Sequence, residues 1–493
     1  MLKKYTLETT VFCSWAIVMI YEILGSRIYG PYFGTSTLVW TTLIWVILAS
    51  LSLGYYIGGI YADKKPTLGK LSSLIFAASI CMFFVFLLKD DLLYVFQQSN
   101  LSFAVSTFIS AIILFFPLSF LLWIVSPYAV KLKIDSIETG WQTIWKMYAL
   151  GTFWSIIWTF AAGFYLIPNI GTNILLLILT VALLLLSFFI STEKILYTRW
   201  VYAVILLSFI AYYVDDLEIR KANGYVDVDT KYSRIQVRDY THQNGQRAKM
   251  MQIGAGNHSS MYLDSEELTN EYTKYYHLVE VFNPSFKHWL MLGGAWYSFP
   301  KSYMKKYPDK TLDVVEIDEG VTELAKKYFN LEESERMKIY HTDARAYLNT
   351  TKTKYDVIFW DAFSDYSIPY QLTTIEAVQK HHDVLNDNWV VILNIISSIE
   401  WEKWKFLRAE YATYKEIFPH VYIIPVSSQY DGLRYKNIML IAMKSDVWFD
   451  FNQDYWDMQK YLDNQWKQEI ILDMPILTDD FAPVNSYIWD LTK

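Results

Sequence analysis

The stretch "VIFWDAFSDYSIP", residues 357 to 369, runs an apolar segment into two carboxylates, Asp361 and Asp365, set among Trp360, Phe363, Tyr366 and Tyr370. Acids in an aromatic wall suit a cationic guest, because the carboxylates attract an ammonium group and the ring faces add cation–π attraction. An amine that is to act as a nucleophile must also lose a proton, and a carboxylate within reach can take it. The plainer alternative is a strand-to-helix loop whose aspartates cap backbone amides. Earlier apolar runs end in comparable groups. "LMLGGAWYSFP" places Gly293 and Gly294 directly after one of them, where the missing side chain lets the backbone approach a ligand ahead of a helix amino end. "VVEID" follows with Glu316 and Asp318, at a spacing that suits acceptance from both ribose hydroxyls. "YHTDARAYL" supplies Asp343, able to accept from an adenine amino group. Singly, each acid is better read as a helix cap. As an ordered set they favour a nucleoside site with an amine site beside it.

The elements that must position these groups are legible in the hydrophobic pattern. Apolar strands such as "HWLMLGG", "TLDVVEID", "MKIYHTD", "YDVIFWDAF", "NWVVILNI", "HVYIIPVS" and "KNIMLIAMK" alternate with amphipathic helical stretches, 320 to 328 and 401 to 417 among them. Continuous apolar strands between helices imply a mostly parallel sheet covered on both faces, a doubly wound α/β domain over 286–493 that binds ligands at the carboxyl ends of its strands. Ahead of it, 215–285 alternates in short strands, "YSRIQVRDY" and "AKMMQIGA", that read as a small antiparallel sheet.

Residues 1–214 are of another kind. They carry apolar runs of membrane-spanning length near 9–30, 36–61, 70–88, 101–130, 147–168, 173–191 and 197–214, which makes this part a multispan helical domain in a lipid bilayer. The first run reads as an anchor and not as a cleaved signal. Lys3 and Lys4, Lys64, Lys65 and Lys70, Lys131, Lys133 and Lys146, and Lys194 and Arg199 fall in alternate connections, which places the N-terminus in the cytoplasm. Seven full crossings would then put the rest of the chain outside. If the last segment instead lies along the interface, the globular part is cytoplasmic, and this is the placement expected here. Glu22 and Arg27 fall in the first span and read equally as a polar site within the bundle or as a structural pair. "LGYYIGGIYADKKP" offers small residues for close helix packing before a charged turn.

Composition bounds the rest. The 493 residues are 53% hydrophobic and 18% aromatic, more than a soluble core uses, and the formal charge of −7 comes with no basic stripe, so nucleic-acid binding finds no support. Cys13 and Cys81 both lie in apolar runs and suggest neither a disulfide framework nor a metal site.

On "LGG", "VVEID", "TDARAYL" and "YDVIFWD" the chain from about 225 to 445 resembles spermidine synthase, the aminopropyltransferase branch of the class I methyltransferase-like fold. "YEILGSRIYGPYFGTST" and "LGYYIGGIYAD" are similar to bacterial membrane proteins in which such a domain follows a multispan region, which implies a bacterial cell membrane. The resemblance implies a transferase that takes S-adenosylmethionine or its decarboxylated form as co-substrate and passes an aminopropyl or related alkyl group to an amine or polyamine, with no metal. It implies ribose binding by Glu316, adenine binding by Asp343, and Asp361 as base or positioner, with Asp365, Tyr272, His277, Trp360 and Tyr366 on the amine side. An S-adenosylmethionine-dependent methyltransferase, and a transporter or sensor that binds nucleoside or polyamine without turnover, are the other readings; a homo-oligomer is compatible with each. The chain departs from the family pattern at several points: Ala295 and Tyr297 stand for glycines, DxxD becomes the DxxxD of Asp361 and Asp365, Ser233 stands for a glutamine, and Lys274 falls where an acid is expected.

Overall fold

The structure is a computed structural model that describes residues 6–488, apart from 135–136, 192–195, 255, 266, 283, 295, 363–367, 400–404, 428–431, 433–435, 447–448, 452 and 454. It divides into two compact units, Met1–Arg234 and Ile235–Lys493.

The first unit is a helical bundle: α1 (Thr6–Phe33), α2 (Thr37–Asp63), α3 (Leu68–Gln97), α4 (Phe103–Lys133), α5 (Ile137–Ala161, extended by a π-turn at Ala162–Leu166), α6 (Ile167–Ile170), α7 (Thr172–Ile190) and α8 (Leu196–Ala222). Among the described residues seven helices are long and apolar enough to cross a membrane. Gly54 and Gly58 of α2 let it lie on α4 at backbone distance: a Cβ at Gly54 would sit 2.7 Å from Trp123 Cβ, and one at Gly58 3.0 Å from the Ile124 Cα. This is the close packing that small residues one turn apart provide in lipid, where burial of apolar surface drives little.

Helix α8 packs along α3. Arg199 donates to Ser72 Oγ at 2.7 Å, the Tyr202 hydroxyl donates to the Ser79 carbonyl at 3.1 Å, and the Phe209 ring lies against Phe83 and Phe86. Tyr213 then meets Phe86. Successive turns of α8 thus follow successive turns of α3 in the same direction. Strand β1 (Val226–Asp229) and the turn after it also belong to this unit. Asp229 accepts from the Thr172 amide at 2.6 Å, satisfying an orphan donor at the start of α7, while Arg234 pairs with Asp227 at 2.6 Å and with Asp90 of α3 at 3.4 Å. The division between the compact units falls at Arg234. Arg27 hydrogen-bonds the Lys231 carbonyl and so ties α1 to the turn after β1.

The second unit begins with an antiparallel sheet of β2 (Arg234–Thr241), β3 (Arg247–Ile253) and β4 (Gly256–Tyr262), followed by the short helices α9 (Glu271–Tyr275) and α10 (Val279–Phe282). The α/β region then runs β5 (His288–Leu292), α11 (Ser298–Lys306), β6 (Thr311–Val315), α12 (Glu319–Tyr328), β7 (Met337–Tyr340), α13 (Ala344–Thr350), β8 (Tyr355–Trp360), α14 (Ile375–Val384), β9 (Leu385–Ser397), α15 (Lys405–Lys415), β10 (His420–Pro425) and β11 (Lys436–Met443). The strand order is β10-β11-β9-β8-β5-β6-β7, with β9-β8-β5-β6-β7 parallel and β11 antiparallel to both of its neighbours. Numbered within this sheet the order reads 3-2-1-4-5-7-6, the class I methyltransferase-like arrangement that the resemblance implied. Buried side chains pack on both faces, so the strands read as continuous apolar runs. The order reverses between β5 and β8, and sheets of this kind bind ligands at the carboxyl ends of their strands beside such a reversal.

Candidate functional site

Four strand ends meet at that reversal. Gly293 leaves β5 with φ of +92°, a conformation open to glycine, and its amide donates to the Val315 carbonyl at 2.9 Å. A Cβ there would lie 2.4 Å from the Asp361 carbonyl oxygen, so the turn after β5 and the end of β8 approach as closely as two backbones can. Gly294 has a different neighbour: its missing Cβ faces Tyr297, whose ring carbon Cζ would be 2.7 Å away. Tyr297 itself has φ of +56°, is fully buried, and bonds Thr322 Oγ1 of α12 through its hydroxyl at 2.7 Å. Its ring thus takes the space beside the glycine turn and ties that turn to α12. Ala295 lies outside the described residues.

Glu316, 8% exposed at the end of β6, accepts from the Gly294 amide at 2.9 Å through one oxygen and from the Asp318 amide at 2.9 Å through the other. The carboxylate therefore braces the glycine turn from the neighbouring strand. Asp318 caps α12, accepting from the Gly320 amide at 3.0 Å, and Asp343 caps α13, accepting from the Ala346 amide at 3.0 Å. Both capping roles, which each acid suggested when taken alone, are realised at the carboxyl edge of the sheet.

Asp361 follows β8 on the other side of the reversal. Its amide donates to the Leu292 carbonyl at 2.9 Å. Its carboxylate accepts from the Tyr272 hydroxyl at 2.9 Å on Oδ2 and from the Asn394 amide nitrogen at 3.0 Å on Oδ1. The structure thus brings Tyr272 and Asp361 together across 89 residues of chain. Asn394, at the end of β9, is a site residue that sequence reading missed; its one signal was a polar residue closing the apolar run "WVVILN".

Other expected amine-side residues stand elsewhere. Trp360 is fully buried, its ring centroid 5.3 Å from that of His381, so it belongs to the core beneath the strand end and not to a ligand wall. His277 is 8% exposed, packs on Phe299 and shares a hydrogen bond of 3.0 Å with the Tyr307 hydroxyl; burial and then nearby Lys306 push its pKa down to about 3, so it is a neutral core histidine. Lys274 donates to Glu271 at 2.7 Å, a bond that raises its pKa and sets a carboxylate beside the charge that would repel an amine. Ser233 closes the turn after β1, its amide donating to Thr230 Oγ1 at 2.9 Å, within the first unit. Asp365 and Tyr366 lie outside the described residues. No cluster of three or more potential metal ligands occurs among the described residues.

Against known proteins, residues 271–436 match the model of the spermine/spermidine synthase domain. A polyamine aminopropyltransferase of Vibrio vulnificus is 28% identical over 222 residues, which cover 42% of this chain and 71% of that protein. An eEF1A lysine and N-terminal methyltransferase of Xenopus laevis is 31% identical over 140 residues, 26% of this chain and 19% of that protein. Among solved structures, a probable spermidine synthase from Corynebacterium glutamicum is 23% identical with a TM-score of 0.41, covering 46% of this chain and 82% of its own. The C-terminal part therefore holds, at 271–436, a region similar to the spermine/spermidine synthase domain, and among the described residues seven helices long and apolar enough to cross a membrane precede it.

Proposed function

We propose that the spermine/spermidine synthase domain at 271–436 transfers an aminopropyl group from decarboxylated S-adenosylmethionine to an amine or polyamine. The observation that carries this reading is the Asp361 carboxylate, anchored by Tyr272 and Asn394 directly across the Gly293 turn. Glu316 would take the ribose hydroxyls, with the glycine turn beneath the nucleoside, and the free edge of Asp343 would face the adenine amino group. Asp318 would then serve the site through its cap on α12. The amine nitrogen attacks the propyl carbon bound to sulfur. The C–N bond forms, the C–S bond breaks with its electron pair going to sulfur as a neutral thioether, and the surplus proton passes to Asp361. Sulfonium is a good leaving group, so the domain's work is alignment of the two reactants and deprotonation of the amine.

Methyl transfer is the second reading, favoured by the match to a methyltransferase over 140 residues. Incubation of purified protein with either sulfonium donor and an amine panel separates the two by product mass. With a substrate in hand, Asp361→Asn is expected to keep adenosyl affinity and lose turnover by about 10²–10⁴. A parent-like single-turnover rate would remove Asp361 from the chemistry.

For the membrane part we read a multi-pass protein whose second unit emerges on the side away from the cytoplasm. Lys64, Lys65, Lys70, Lys131 and Lys133 gather at one end of the helices, and α8, following α3, ends at the other. This is the seven-crossing alternative to the cytoplasmic placement expected from the sequence, and it requires donor and acceptor to be supplied on that side. With Cys13 and Cys81 changed to serine, Lys327→Cys on exposed α12 should react with a membrane-impermeant maleimide in intact cells. Labelling only after lysis would return the domain to the cytoplasm.

A further inference from the structure

Asp361 is held by a relay that crosses three strand ends. Asn437 of β11 donates its side-chain nitrogen to Asn394 Oδ1 at 3.0 Å, and Asn394 donates its own to Asp361 Oδ1 at 3.0 Å. The strand registers build this contact. Asn394 faces Met439 and Asn437 faces Ile396, so the two asparagines are diagonal neighbours on one face, and Trp360 pairs with Leu393, which sets Asp361 level with Asn394. Asn394 is 4% exposed, so each of its polar atoms needs a partner within the fold.

The polarity of the relay follows from donor and acceptor chemistry. An ionised carboxylate only accepts, so Asn394 must turn its NH2 toward Asp361. Its carbonyl then faces Asn437, which must donate. Asn437 thereby selects the amide orientation that stabilises the charged form of Asp361. We propose that Asn394 and Asn437 are positioning residues for transfer, fixing Asp361 ionised and in place beside the glycine turn. This rests on the function proposed above, and it adds a residue, Asn437, that lies just beyond the matched domain at 271–436.

Inverting the relay tests it. In Asn437→Asp the new carboxylate accepts where the amide donated, so Asn394 turns over and presents its carbonyl to Asp361, which then favours a proton. Two readouts are expected: the acid limb of the pH–rate profile moves up by about 1 unit, and turnover at neutral pH falls ~10-fold. Melting should also drop by about 3 °C or more, and the double variant Asn437→Asp/Asp361→Asn should recover that loss, because an amide at 361 can donate to the turned Asn394.

The melting comparison needs no turnover, so it judges the relay even if the protein transfers nothing, an outcome that would sink the functional reading alone. Parent-like pH–rate behaviour together with a double variant no more stable than Asn437→Asp overturns the relay and leaves the functional reading standing. Should Asn437→Asp fail to fold, recovery of a folded double variant supports the relay. Asn437→Leu, which removes the donor without adding charge, gives a further decision: unchanged adenosyl affinity with ~10-fold lower turnover is expected, and parent-like turnover overturns the proposal.

Discussion

Gly293→Ala is the substitution that ties the backbone most directly to the site. At φ of +92° an alanine is strained, which costs about 1–2 kcal/mol. The larger effect is steric. The new Cβ would lie 2.4 Å from the Asp361 carbonyl oxygen, while ordinary contact begins at 3.4 Å, so the end of β8 must retreat by 3.4 − 2.4 = 1.0 Å. The atom met is backbone and cannot rotate away. Overpacking of this kind costs roughly 1–3 kcal/mol, which gives a total of about 2–5 kcal/mol. At about 2–4 °C per kcal/mol for a domain of this size, melting should fall by roughly 4–20 °C. The retreat also moves Asp361, and a misplacement of about 1 Å can cost ~10² in rate. Gly294→Ala is the comparison, since Gly294 is not among the positive-φ glycines and its Cβ meets a side chain, the Tyr297 ring, instead of backbone, so it should cost less on both measures. Thermal unfolding and single-turnover rates of the two variants decide the matter. A Gly293→Ala protein that melts and turns over like the parent would refute the close approach of β5 and β8.

Glu410 on α15 is fully buried, and neither of its oxygens has a partner among the described residues; burial raises its pKa well above the ordinary carboxyl value. Because the folded state keeps the proton after the unfolded state has released it, stability falls as pH rises from the ordinary value toward the folded one, by up to about 1.36 kcal/mol per pH unit. Glu410→Leu should flatten that decline and raise stability at pH 8 by about 1–3 kcal/mol in denaturant titrations, and an unaltered pH slope would show that the carboxyl is solvated. Arg234 is 7% exposed and forked on Asp227; burial opposes its charge but the two acids beside it hold its pKa well up. Arg234→Ala should destabilise by about 3–5 kcal/mol, read as a lower melting temperature in detergent, whereas a loss below about 1 kcal/mol would mean the pair is hydrated. His277→Phe should leave the pH dependence of amine binding as in the parent, since the native ring is neutral across the working range; a vanished transition in a calorimetric pH series would return His277 to the site.

What could be read along the chain was whatever rests on local chemistry. Apolar runs of spanning length named the helices of the bundle, and continuous apolar strands between helical stretches named all seven strands of the sheet. Gly293, Glu316, Asp343 and Asp361 were legible because each sits where a strand stops, and strand ends are marked by a break in hydrophobicity. The sides that residues face were not legible. Both faces of this sheet are covered, so the alternation that normally separates inside from outside is absent, and Trp360, beside Asp361, turned out to be core. His277 likewise went to the interior although Tyr272, five residues earlier, reached the site. Only the folded chain could join Asp361 to Tyr272, Asn394 and Asn437, because those meetings depend on a strand order in which β11 slips between β9 and β10. The course of α8 was decided in the same way: its composition alone left its direction open, and it was the side chains of α3, more than a hundred residues earlier, that set it alongside that helix.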